Sequence, residues 1–69
     1  MHKVDSFDKE QMQQDVFKSS AKMFNVSIPD DVDLCEVWGT SMSDLGGDYC
    51  EYRFYKDGVI ISTQRVDGY

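Results

Sequence analysis

No apolar run in this chain approaches the roughly 18 residues of a membrane span, and the N-terminal stretch MHKVDSFDKEQ lacks the apolar core of a signal peptide. A cytoplasmic protein with no membrane partner is the expectation. Cysteine is scarce too. Cys35 and Cys50 are too few for a disulfide framework, and both fall in segments that read as strands, so they are expected as free, buried thiols. Histidine occurs once, as His2 in a terminus expected to fray, which removes the usual base for a serine or cysteine nucleophile.

The remaining absences exclude most other chemistry. His2, Cys35 and Cys50 have no paired zinc spacing, while DDVD and SDLGGD offer oxygen ligands without the alternation and terminal glutamate of an EF-hand. Gly46–Gly47 lies outside any phosphate-loop context and reads as a turn. No metal and no cofactor is expected. Asp30, Asp31 and Asp33 are close enough in sequence for acid–base work, but raising a carboxylate pKa needs an apolar enclosure that a two-layer fold of 69 residues has little room to build. The chain is read as a single domain and not an enzyme, with its function on the surface.

Positive charge is missing from the middle of the chain. Residues 1–22 carry four basic and four acidic side chains, and residues 53–69 carry three and two. Residues 23–52 carry no lysine or arginine and seven acids: Asp30, Asp31, Asp33, Glu36, Asp44, Asp48 and Glu51. The whole formal charge of −6 therefore arises there. Such a balance disfavours direct contact with nucleic acid or an anionic membrane.

Periodicity supplies the elements. Met12, Val16, Phe17, Ala21, Met23 and Phe24 recur at spacings of three and four, which predicts an amphipathic helix over residues 7–24. Asp5 or Ser6 is its candidate N-cap, Asn25 suits a left-handed C′ position, and Pro29 stops the helix or opens a single further turn. The period then changes to two. LCEVWGTSM predicts a strand over residues 34–42, SDLGGD a loop, and YCEYRFYK-DG-VIISTQRV a hairpin closed by a type I′ turn at Asp57–Gly58.

A regular hairpin would pair Lys56 with Val59, Phe54 with Ile61, Tyr52 with Thr63 and Cys50 with Arg65. That register puts Cys50, Tyr52, Phe54, Val59 and Ile61 against the helix. Tyr49, Glu51, Arg53, Tyr55, Ile60 and Gln64 then share the opposite, half-wet face. The expected fold is α+β in two layers, with one N-terminal helix packed on a three-stranded antiparallel meander in the order α-β-β-β.

Two readings of the acids stay open. The plainer one takes them as the ordinary net charge that keeps a small protein soluble. The sharper reading makes them a band about 30 Å long, at about 3.3 Å per residue, that docks on a basic protein surface such as a nucleic-acid-binding groove of a host effector. Trp38, Tyr49 and Tyr55 are the aromatic anchors in that reading. The expected function is a small acidic inhibitor or sequestering protein, present as a monomer or weak dimer. Nucleic-acid-mimicking, phage-encoded blockers such as anti-CRISPR proteins share these gross properties, as do toxin-neutralising immunity proteins. The alternative is an accessory module that binds through an exposed sheet face or edge.

Overall fold

A computed structural model describes residues 2–39 and 49–67. Its elements are β1 (His2–Asp8), α1 (Lys9–Met12), α2 (Asp15–Met23), β2 (Leu34–Gly39), β3 (Tyr49–Lys56) and β4 (Val59–Asp67). The strands form one antiparallel sheet in the order β1-β2-β3-β4, with the helical segment packed on one side. The α+β class agrees with the sequence reading. The strand count does not, because HKVDSFD is a fourth strand and not the approach to a helix.

That strand is hidden by a bulge. Lys3 pairs with Trp38 and Asp5 with Val37, which leaves Val4 as an extra residue. Phe7 opposes the buried Cys35, and Val4 approaches Gly39 on the same side, so Val4 and Phe7 share a face although they stand three apart. That spacing looks helical in sequence and is produced here by a strand with one inserted residue. Gly39 permits the approach, since a Cβ there would lie 3.2 Å from the Val4 side chain.

The helix therefore starts later than expected, with Asp8 as N-cap in place of Asp5 or Ser6. The Asp8 carboxylate accepts from the Gln11 amide at 2.8 Å, and the Gln11 side chain accepts from the Asp8 amide at 2.9 Å, a complete capping box. The helix then breaks. Gln14 adopts an extended conformation (φ −78, ψ 148) and starts α2 anew. In an unbroken helix Met12 would line up with Val16. The break places Phe17 there instead, so Met12, Phe17 and Ala21 are buried while Val16 and Met23, expected in the stripe, are each 73 % exposed. Phe17 meets Phe7 edge to face with ring centroids 4.9 Å apart, tying α2 to β1.

The far end of α2 follows expectation. Asn25 takes φ 61, its amide donates to the Lys22 carbonyl at 3.2 Å, and the Val26 amide donates to the Ala21 carbonyl at 2.8 Å. This is a Schellman motif, and the Ala21 and Val26 side chains are both buried, as such motifs favour. Pro29 opens no helical turn. The connector reverses at residues 30–31, with Asp31 at φ 62.

Asp57 (φ 51) and Gly58 (φ 78) both have the positive φ of the expected type I′ turn. Lys56 pairs with Val59 and Tyr55 with Ile60, as predicted, but Ile61 is then an extra residue. Beyond it Phe54 pairs with Ser62, Tyr52 with Gln64 and Cys50 with Val66. The regular register would have turned Arg65 toward the core opposite Cys50 and left Val66 in water. The one-residue shift reverses both. Ile61, expected against the helix, is the inserted residue and is 50 % exposed, while Val59 keeps its expected pairing next to the turn and is 63 % exposed, so neither packs under the helix.

The core comprises Met12, Phe17, Ala21, Val26, Val32, Cys35, Val37, Cys50, Tyr52, Phe54 and Val66, with Phe7, Phe24 and Ile28 packed against it. Gln64 closes it at one edge. The Ser27 amide donates to its side-chain oxygen at 2.8 Å, and its side-chain nitrogen donates to the Ser27 carbonyl at 2.5 Å. No helix among the described residues is long and apolar enough to cross a membrane.

Two predictions follow from this packing. Gln64→Ala should lower stability in urea unfolding by about 1 kcal/mol, because it opens both bonds to Ser27 at a partly wet site, whereas Val16→Ala should leave the midpoint nearly unchanged. Cys35 and Cys50 are free and buried, and burial pushes the Cys35 thiol up to about 12. Iodoacetamide at pH 8 should alkylate Cys35 only after denaturant is added, which is read by mass spectrometry.

Candidate functional site

Side chains alternate across the sheet, so each strand that fills the core presents a second set to the other side. On β2 that set is Leu34, Glu36 and Trp38; on β3 it is Tyr49, Glu51, Arg53 and Tyr55. Lys3 joins from β1 opposite Trp38, and Arg65 joins from β4 opposite Glu51. Neither helix covers this face. Its β2 and β3 residues are half-buried by one another.

Glu36 is the hub of the face. One carboxylate oxygen accepts from the Trp38 indole N–H at 3.0 Å and from the Tyr55 hydroxyl at 2.8 Å, and the other lies 3.7 Å from the Lys3 ammonium. The indole and phenol donors, followed by Lys3, hold the Glu36 carboxyl below the usual glutamate range. The same bond raises the Tyr55 phenol, whose proton is held by the carboxylate.

Around this hub the two arginines each lie over an aromatic ring. The Arg53 guanidinium lies 4.6 Å from the Trp38 ring centroid and donates to Glu51 at 2.9 Å. The Arg65 guanidinium lies 3.9 Å from the Tyr49 ring centroid and donates to Asp67 at 2.7 Å. The rings are thus clamped by charge on a rigid support, with their remaining surface open to solvent.

Of the residues singled out from sequence, Glu36, Trp38, Tyr49, Glu51 and Tyr55 come together here. Asp30, Asp31 and Asp33 do not. They sit at the end of the sheet beside the Asp57–Gly58 turn, where Asp31 is 3.4 Å from Lys56 and the Asp33 carboxylate accepts from the Asp57 amide at 3.1 Å. Asp44 and Asp48 lie outside the described residues. The described acids therefore form no continuous bare band: those on the face are paired, and the exposed Asp30 and Asp31 collect at one end.

Lys3 and Arg65 belong to the site and were not picked out from sequence. Lys3 arrives through the unforeseen strand β1. Arg65 arrives because the Ile61 bulge turns it outward, and the same shift moves Gln64 to the core side. Among the described residues no group of three or more His, Cys, Asp or Glu side chains could hold a metal ion. Compared with models of protein families, with curated proteins and with solved structures, the chain matches none.

Glu36 yields a pH prediction. A carboxyl whose pKa is lowered on folding stabilises the fold above the unfolded value, and that stability is lost as pH falls through the folded value. The chain has a single tryptophan, Trp38, bonded to this carboxylate. Its fluorescence should therefore titrate in acid with a midpoint below the ordinary glutamate range of about 4.3. Glu36→Gln should abolish that step, and Glu36→Ala should reduce stability by about 1–2 kcal/mol, since the freed donors can reach water.

Proposed function

We propose that this chain is a small, non-enzymatic binding protein that docks the open face of its sheet onto a larger protein, with Trp38, Tyr49 and Tyr55 as anchors. The observation that carries this reading is the set of half-buried rings held in place by Glu36, Arg53 and Arg65 on a sheet face that neither α1 nor α2, the helices among the described residues, covers. Rings ordered in advance lose little entropy on association, and tryptophan, tyrosine and arginine dominate binding energy at interfaces.

The protonation states support binding over catalysis. Glu36 is shifted toward staying charged at neutral pH, Tyr55 toward staying protonated, and the Arg65 guanidinium further toward its cation. Each moves away from the poised state that a general acid or base needs.

A basic partner surface suits the net charge of −6 and the exposed aspartates beside the hairpin turn. Inhibition or sequestration of that partner, including a nucleic-acid-binding one, is the consequence such docking would have. Steering falls to Asp30 and Asp31, and affinity to the rings.

The test is affinity capture from a lysate of the source cell, repeated with purified partner by calorimetry. Trp38→Ala and Tyr49→Ala should each weaken binding by about tenfold or more, the loss typical of interface anchors. The paired change Asp30→Asn with Asp31→Asn, or added salt, should act more mildly. Met23→Ala, on the exposed side of α2, should have no effect. Full binding by the two aromatic variants, with folding retained, contradicts the reading.

A further inference from the structure

The helix side of the sheet is not wholly filled. Between β1 and α2 runs a groove of about 410 Å³, floored by Phe17, Val37 and Tyr52. Its lips are Val4, 54 % exposed, and Val16, 73 % exposed. Both lips arise from irregularities already described. The Val4 bulge puts Val4 and Asp5 on the helix side together, and the break at Gln14 brings Phe17 to the core and leaves Val16 at the rim.

Among the described residues that line the groove Asp5 is the only charged one, and the others are apolar or neutral. Its carboxylate accepts from the Ser6 amide at 2.8 Å, and no cation among the described residues forms an ion pair with it. A largely apolar floor with one carboxylate at its mouth that no described cation pairs is complementary to an apolar group that carries a cation beside it. The volume stands near the lower end of ligand pockets, enough for one large side chain and part of its neighbour.

We propose that this groove receives a leucine-like or aromatic side chain of a partner protein whose adjacent residue is lysine or arginine, with the apolar group on the Val37–Tyr52 floor and the cation paired with Asp5. The site lies on the side of the sheet opposite the aromatic face, so it stands or falls separately from the reading above.

The test uses the intact chain with ¹³C-labelled valine methyls and two probes, N-acetyl-leucyl-arginine amide and N-acetyl-leucyl-glutamine amide. Both should shift the Val4, Val16 and Val37 methyl resonances saturably, with the arginine probe binding about threefold more tightly, as a part-exposed ion pair allows. Asp5→Asn should make the two probes equal, and Val16→Ser, at an exposed position, should weaken both. Equal affinities in the unmodified chain overturn the role of Asp5. Shifts confined to Val59, or no shift up to the solubility limit of the probes, overturn the groove itself.

Discussion

An antiparallel strand alternates its side chains with a period of two, so a single inserted residue exchanges core and solvent for everything beyond it. This chain uses that constraint twice. The extra residue at Val4 puts Val4 beside Asp5 on the helix side and brings Lys3 to the outer face. The extra residue at Ile61 buries Val66, turns Gln64 inward to hold Ser27, and sends Arg65 outward over Tyr49. Both bulges lie in the outermost strands, where an irregular ladder disturbs only one neighbour. The central pair, β2 and β3, keeps an uninterrupted register and supplies the two most deeply buried large side chains, Cys35 and Phe54.

The charge of the molecule takes a different meaning once the strands are paired. Seven acids without a cation between Met23 and Tyr52 look like one negative surface when counted along the chain. Pairing brings Lys3, Arg53 and Arg65 from outside that stretch onto the same sheet face, where Glu36 and Glu51 serve to hold aromatic rings and arginines in place. A carboxylate that accepts from an indole and a phenol is spent on internal order. Exposed acids that remain off this face include Asp30 and Asp31 beside the hairpin turn, the second of them 3.4 Å from Lys56. Attraction at a distance and adhesion on contact thus fall to different parts of the molecule, a common division at interfaces.

The two sides of the sheet also differ in how completely they are finished. The outer face is open but internally bonded, so its order does not wait for a partner. The inner face is covered over β3 and most of β2, while the broken helix leaves part of the β1 side bare. A continuous helix of the expected length would have presented Val16 to the core alongside Met12. With the break, Phe17 takes that position, and an apolar rim remains.

The sequence by itself determined the parts governed by neighbours along the chain. The left-handed cap at Asn25, the type I′ turn at Asp57–Gly58, the alternation of β2 and β3, and the burial of both cysteines depend on local dihedral preference or period, and each was legible. So was the placing of Tyr49, Glu51, Arg53 and Tyr55 on one sheet face, which Trp38 joins through the pairing of β2 with β3. Only the tertiary structure decided what depends on partners distant in sequence. HKVDSFD becomes a strand because β2 presents a row of unpaired backbone groups beside it, and its bulge erases the alternation that would have announced it. The helix breaks at Gln14, where no proline or glycine requires it, because Phe17 and not Val16 packs against Phe7. The hairpin slips at Ile61 because burying Val66 in place of Arg65 avoids desolvating a charge. In each case a modest local irregularity was outweighed by burial, and burial is a property of the assembled sheet.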